Sequence, residues 1–247
     1  MKFLVCISKV PDTTARIAFT DNNTKFATEG VQYIMNPTDE WYALVRAIEL
    51  KEALGGSVTV INVGGADEET IIRKALAIGA DDAVRIDAEP ADSYFVAGQI
   101  AEYAKSQGFD LIFTGKETID YNGSCVGAMI AEFLDLPFVS LVSRLELNGA
   151  TASMDREIEG GTEVLEVTGP LVVSCQKGLA EQRIPNMRGI MTARTKPLQV
   201  LPPVASIAPL TAISLYEPPK GRGNVHLISP DNVEELVDLL HREAKLI

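Results

Sequence analysis

Histidine is nearly missing from this chain: two in 247 residues, His226 and His241, both near the end. Chemistry that leans on imidazole, as general base or metal ligand, has little to draw on. His241 falls on an exposed helix face and reads as a solvated side chain. Cysteine is almost as scarce. Cys6, Cys125 and Cys175 lie far apart with no C-x-x-C, which argues against a zinc site and a disulfide framework. Cys6 and Cys175 sit in apolar strand runs and read as buried thiols. The chain has no H-E-x-x-H, no G-x-S-x-G and no clustered metal ligands. A Walker A loop and the G-x-G-x-x-G fingerprint are missing too. No apolar stretch approaches membrane-spanning length, so no direct membrane insertion is expected. The opening MKFLVCISKVPD is too short for a signal peptide and lacks the basic, serine-rich look of a transit peptide. A cytoplasmic protein is expected. Cations are outnumbered, 22 Lys and Arg against 34 Asp and Glu, for a net charge of −12. That balance weighs against nucleic acid as the main partner.

What is present is an ordinary globular composition, 46% hydrophobic and 23% charged, long enough to bury a real core. Strand-like runs alternate with helical ones: Phe3–Ile7, a helix from Asn36 to Leu54, Val58–Val63, a helix Asp67–Ile78, Ala83–Ile86 and a helix Ser93–Gln107. Asn36-Pro37-Thr38-Asp39 reads as a helix start, with Asn36 as the cap. Residues 16–19 and 25–28 read as a hairpin around Asp21-Asn22-Asn23-Thr24. The β-α-β-α order predicts an α/β fold, an open and mostly parallel Rossmann-like sheet with helices on both faces. An antiparallel excursion follows: Ser140–Leu147 and Thr151–Ile158 joined at Asn148-Gly149, then Thr162–Val167. Leu171–Ser174 returns to the sheet. The domain expected over residues 1–200 is followed by an arm and helix over 201–247. The arm, Leu201–Arg222, is rich in proline. The helix opens at Ser229-Pro230-Asp231 and turns Val233, Leu236, Val237 and Leu240 to one face.

The most informative stretch is 110–134. An apolar strand, Leu111–Thr114, leads through Gly115 and Asn122-Gly123-Ser124 into a helix with Val126, Met129, Ile130, Phe133 and Leu134 on one face. Unpaired N–H groups at such a helix start favour an anion. An ordinary strand-to-helix turn fits the same residues. Gly64-Gly65, Gly115 and the 36–39 turn would gather at the carboxyl edge of a parallel sheet, where ligands bind. A second anomaly is Gln176–Pro197, with Lys177, Arg183, Arg188, Arg194 and Lys196 against the single acid Glu181. Pro185, Met187, Ile190 and Met191 are interleaved. This is either a solvated basic loop or a docking loop with adaptable methionines.

These pieces together resemble the beta subunit of electron transfer flavoprotein. The most specific match is 154–175, MDREIEGGTEVLEVTGPLVVSC. Others run nearly the whole length: LVCISKVPD, MNPTDEWYALVRAIELKE, ALAIGADDAVRI, GKETIDYNGSCVGAMIAEFL and SLYEPP. The resemblance implies a carrier rather than an enzyme, in a heterodimer whose alpha subunit holds most contacts to FAD. It implies a structural AMP in this subunit, touching Cys6, Asn36, Pro37, Thr38, Asp39 and Val63. The phosphate loop would contribute Gly115, Lys116, Asp120, Tyr121, Asn122, Gly123, Ser124, Cys125 and Val126. Arg183, Met187, Arg188, Ile190 and Met191 would dock acyl-CoA and related flavin dehydrogenases in fatty acid β-oxidation, with Met187 where a leucine anchor usually sits. Electrons would pass towards a membrane quinone reductase, a quinone oxidoreductase. Two departures stand out. Ser124-Cys125-Val126 replaces the family's usual Gln before the helix, and Thr13 stands where a flavin-facing tyrosine is common. Electron-bifurcating relatives hold a second FAD in the AMP site, but their loop differs from KETIDYNGSCVG here. A stand-alone nucleotide-binding enzyme or stress-type protein on the same scaffold is the rival reading.

Overall fold

The computed structural model describes residues 1–217, 223 and 225–247. In chain order the strands and helices are β1 (Lys2–Cys6), β2 (Lys9–Pro11), β3 (Phe19–Thr20), β4 (Lys25–Phe26), β5 (Tyr33–Met35), α1 (Asp39–Leu54) and β6 (Ser57–Val63). A 3-10 turn, Ala66–Glu68, leads into α2 (Glu69–Ile78), then β7 (Asp82–Ile86), α3 (Ser93–Ala104), β8 (Leu111–Gly115) and α4 (Val126–Leu134). The second half holds β9 (Phe138–Asn148), β10 (Thr151–Ile158), β11 (Gly161–Thr168), β12 (Leu171–Cys175), α5 (Met187–Ala193), β13 (Leu198–Leu201) and α6 (Val233–Asp238).

The chain divides into two units: residues 1–16 with 27–214, and residues 17–26 with 215–247. The larger unit carries a nine-stranded sheet in the order β11-β10-β9-β12-β8-β1-β6-β7-β13. Pairing from β9–β12 through to β7–β13 is parallel, and β9, β10 and β11 form the antiparallel excursion. Period-two alternation along β1 explains the two faces. Phe3, Val5 and Ile7 point into a core with Leu44, Ile48, Ile72 and Leu76 of α1 and α2. Leu4 and Cys6 point into a second core with Ile100 of α3 and Ile130 of α4. Each fully buried aliphatic or aromatic side chain contributes roughly 1.5–3 kcal/mol. The expected doubly covered α/β sheet is therefore what forms.

Where β9 leaves β12 the register shifts between Val173 and Cys175. Leu141 there takes φ 58°, and its N–H is satisfied by Ser174 Oγ at 3.0 Å. This bulge bends β9 out into its antiparallel partners. The β9–β10 loop is Gly149-Ala150, with Asn148 paired to Thr151, so the turn sits one residue beyond the expected Asn-Gly centre. Gly149 holds φ 61° at the first loop position, where a type II′ turn demands glycine.

Several sequence expectations shift. Asn36 does not cap α1; Thr38 holds that position, and Asn36 is wholly buried with its side chain spent elsewhere. The early hairpin shrinks to β3 and β4, because Asp21, Asn22 and Asn23 all adopt positive φ. In the smaller unit Phe19 stacks on Tyr216 at 4.7 Å between ring centres. The Gln176–Pro197 loop contains α5, and β13 pairs in parallel with β7. Past Leu201 the arm lies over α3 of its own unit: Gln99 exchanges hydrogen bonds with Val204, and Asp92 Oδ2 accepts from Leu210 and Thr211 N–H. Of the arm expected over 201–222, residues 218–222 fall outside the described residues, as does 224.

Candidate functional site at the carboxyl edge of the sheet

The chain runs from β1 outward to β6 on one side and later to β8 on the other, so the strand order reverses between β1 and β8. In open parallel sheets that reversal opens a crevice at the carboxyl ends, where loops diverge. Cys6, Val63 and Gly115 end β1, β6 and β8, and all three come to this edge. The turn 36–39 arrives there because α1 packs along β1 and β8 with its first turn at the loop: a Cβ on Gly115 would sit 2.8 Å from Glu40 Cγ and 3.4 Å from Asp39 Cβ. Glycine is needed at 115 for this approach.

Asn36 is the brace of the site. Its Nδ2 donates to the Glu117 carbonyl at 2.9 Å, and its Oδ1 accepts from the Ile119 N–H at 3.1 Å. Burying an amide with both ends satisfied fixes the 116–119 backbone against the 36–39 turn. Pro37 follows, and Thr38 sits at φ 64°, ψ −93°, which a β-branched residue adopts only under constraint.

Beyond the brace, Lys116, Asp120, Tyr121, Asn122, Gly123, Ser124 and Cys125 form the loop into α4. Asn122 and Ser124 hold φ 51° on either side of Gly123. Ser124 is left-handed and Cys125 right-handed (φ −117°, ψ −16°), the alternation that makes successive N–H groups converge into an anion-binding nest. The first intrahelical bond runs from Met129 N–H to Cys125 O, so the N–H groups of Val126, Gly127 and Ala128 precede the ladder. α4 thus opens at Val126 rather than Ser124. Gly127 has to be glycine for packing: a Cβ would lie 2.6 Å from Thr114 Oγ1 and 3.0 Å from the Phe138 ring. Over Gly123 the nearest atoms to a Cβ are Ser93 Oγ at 3.5 Å and Cys125 Sγ at 3.7 Å, ordinary contact distances. Gly123 itself is exposed.

The electrostatics are mixed. Lys116 pairs with Glu117 at 3.0 Å, and Ser124 Oγ donates to the same carboxylate at 3.1 Å. Burial raises the Asp39 carboxyl, against the pull of Lys116. Under the loop lies a residue the sequence reading passed over, Glu40, only 6% exposed. Its carboxyl is pushed up to about 8, first by burial, although Ser8 donates to it from both N–H (2.7 Å) and Oγ (2.6 Å). Ser8, just beyond the end of β1, was missed with it. An acid directly after the 36–39 turn and a serine two residues after Cys6 were the available signals. Burial, and after it Glu40, drives the Cys6 thiol up, and Cys175 is raised by burial too. Both are buried. On the other flank of β8 a cleft of about 390 Å³ is lined by Asp39, Lys116, Glu157, Gln176, Lys177 and Gly178. Gln176 Nε2 is buried beside it without a hydrogen-bond partner among the described residues.

The residues expected to dock a partner are not at this edge. Met187, Arg188, Ile190 and Met191 stand on α5, against α2, and Arg183 stands ahead of it, against α1. Among the described residues no helix is long and apolar enough to cross a membrane, and no His, Cys, Asp or Glu cluster is fit to hold a metal ion.

Comparison with known proteins adds to this geometry. A family described as the electron transfer flavoprotein domain matches residues 23–206. Electron transfer flavoprotein subunit beta of Bacillus subtilis is 37% identical, over all of both chains. The human protein of the same description is 33% identical, over all of this chain and 99% of its own. Protein FixA of Azotobacter vinelandii is 33% identical across 83% of this chain and 76% of its own. With a family match across most of its length and end-to-end relatives above 30% identity, this chain belongs to the electron transfer flavoprotein beta subunit family.

Proposed function

We propose that this electron transfer flavoprotein beta chain is a carrier subunit that holds AMP in the β1–β8 crevice and forms one wall of an FAD site on an alpha subunit. The observation that carries the reading is the exposed Gly123 just ahead of α4, at the reversal of strand order. Val126, Gly127 and Ala128 N–H groups are the donors for one phosphate. The 36–39 turn, braced by Asn36, and the strand ends at Cys6 and Val63 enclose the nucleoside. Asp39, Glu117 and Asp120 outnumber Lys116 and Lys177 around this loop, which favours one phosphate and hydroxyl-bearing ribose over a pyrophosphate. FAD supplies the redox chemistry when bound; this chain's residues position and enclose.

The chain would receive electrons from acyl-CoA and related dehydrogenases, which dock on α5, and pass them towards a membrane quinone reductase. The basic, methionine-bearing surface of α5 supports that role. Met187, Met191 and Ile184 are 74, 69 and 80% exposed, with Arg188 and Arg194 among them. Exposed apolar groups ringed by cations suit an apolar pocket with an acidic rim. Mass spectrometry of the nucleotides released on denaturing the two-subunit complex tests the cofactor assignment. One AMP and one FAD per complex is the expected result. Two FAD and no AMP indicates the bifurcating type, and no AMP with one FAD overturns the crevice assignment.

A further inference from the structure

α5 is seven residues long, too short to persist on its own hydrogen bonds. Asn186 caps it, its Oδ1 accepting from Gly189 N–H at 2.8 Å. The rest of its support comes from the carboxyl end of α2. Gly189 lies flat against that end: a Cβ there would overlap the Ala77 carbonyl oxygen. Ala193 completes the inward face and is buried. Arg73 Nη1 donates to the Ala193 and Lys196 carbonyls, both at 2.8 Å, closing the helix on α2. Lys196 Nζ donates in return to the Leu76 carbonyl at 2.9 Å and to that of Ala80, capping the last turn of α2 with a cation. Ahead of α5, Arg183 meets Glu52 through both terminal nitrogens at 2.8 and 2.9 Å, and its carbonyl accepts from Trp41 Nε1 at 3.3 Å.

This chain therefore does not present its methionines on a pliant loop. We propose that Gly189 and Arg73 are positioning residues for docking, holding α5 in one register on α2 so that Met187 and Met191 form a rigid anchor for the donor dehydrogenase. The proposal rests on the docking reading above. Its physical basis is preorganisation: an anchor already ordered loses less entropy when it binds. The Met side chains alone keep the adaptability to fit the pocket.

The test uses the purified two-subunit complex and an acyl-CoA dehydrogenase, with the flavoprotein as the varied substrate. Gly189→Ala has to push α5 off the Ala77 carbonyl. It is expected to raise KM for the flavoprotein roughly tenfold or more, as small misplacements of a binding element do. The rate at saturation, nucleotide content, flavin spectrum and reduction by dithionite stay at wild-type values. Arg73→Gln is expected to act the same way, and Arg73→Lys to recover part of the loss by reaching one carbonyl. Met187→Ala is run beside them. If it raises KM while Gly189→Ala and Arg73→Gln do not, the positioning role is overturned and docking stands. If none of the three moves KM, the docking reading itself fails. Loss of flavin or nucleotide alongside the KM change also overturns the proposal, since the residues would then support the whole fold.

Discussion

Glu40 is the residue whose chemistry reaches furthest beyond its own contacts. In an unfolded chain its carboxyl titrates at 4.5; in the fold it is held at about 8, by burial first, with the charges of Asp120 and Asp39 adding to it. The folded state therefore binds this proton more tightly than the unfolded state. The stability Glu40 confers is fully present below 4.5 and is lost as pH rises through about 8. When protonated, its hydroxyl can donate to Ser8 Oγ; when ionised, it faces two other acids at the base of the loop. Glu40→Gln keeps an acceptor for Ser8 N–H and never ionises. Between about pH 6 and about pH 9 the Tm of the wild-type complex is expected to fall more than that of Glu40→Gln. Parallel Tm profiles for the two proteins would remove Glu40 as the source of the slope.

At the scale of elements, the loop from Gly115 to Val126 leads directly into α4, and the nucleotide assignment can be tested on it. Gly123→Val places two methyl groups where a phosphate would approach, yet the chain's own atoms leave room for a Cβ. Folding of the variant is expected to be normal and its AMP content strongly reduced. Ser124→Ala removes at most one hydrogen bond, a net loss of about 0.5–1.5 kcal/mol, so it should retain more AMP. Equal AMP in Gly123→Val and wild type ends the assignment. Much of this architecture was legible in the sequence. The buried strands were continuous apolar runs, helices α1 to α4 had long apolar faces, and glycines follow α1, α2 and α3. What was not legible depends on partners distant in sequence. Asn36 looks like a cap because Asn-Pro-Thr-Asp is a good helix start; only the arrival of Glu117 and Ile119 makes it a brace. β13 is four residues with no alternation, recruited by pairing with β7 across more than a hundred positions. α5 carries Gly189 and follows Pro185, both poor helix signals, and stands because α2 holds it. The antiparallel excursion was found, but its first turn was set one residue early, since Asn-Gly reads equally well in either frame.

The molecule as a whole is less complete than its sheet. In the smaller unit, α6 has six residues and runs on into a π-helical turn, Leu239–Glu243; no residue of either is buried, and Val233, Leu236 and Val237 are about half exposed. An isolated helix of that length with an unburied apolar face is marginal in water. We therefore predict that a second chain, the alpha subunit, covers this face. Amides of 233–243 in the beta chain expressed alone should exchange with solvent at nearly free rates, and become protected when the alpha subunit is added. Equal exchange with and without the alpha subunit rules out that burial. The larger unit carries a different consequence, one of timing. β1 precedes the other eight strands of the sheet in the chain. Lys2 meets Ser57, but Phe3 has to wait for Leu111. Loop closure over the longer span costs only about 0.6 kcal/mol more per doubling of length, so the delay comes from synthesis more than from energy. Three of the nine strands, β1, β6 and β7, can pair while β8 is still unmade, and the crevice between β1 and β8 has one wall until then. During synthesis any ligand of this crevice finds both of its walls only once β8 has joined β1, β6 and β7.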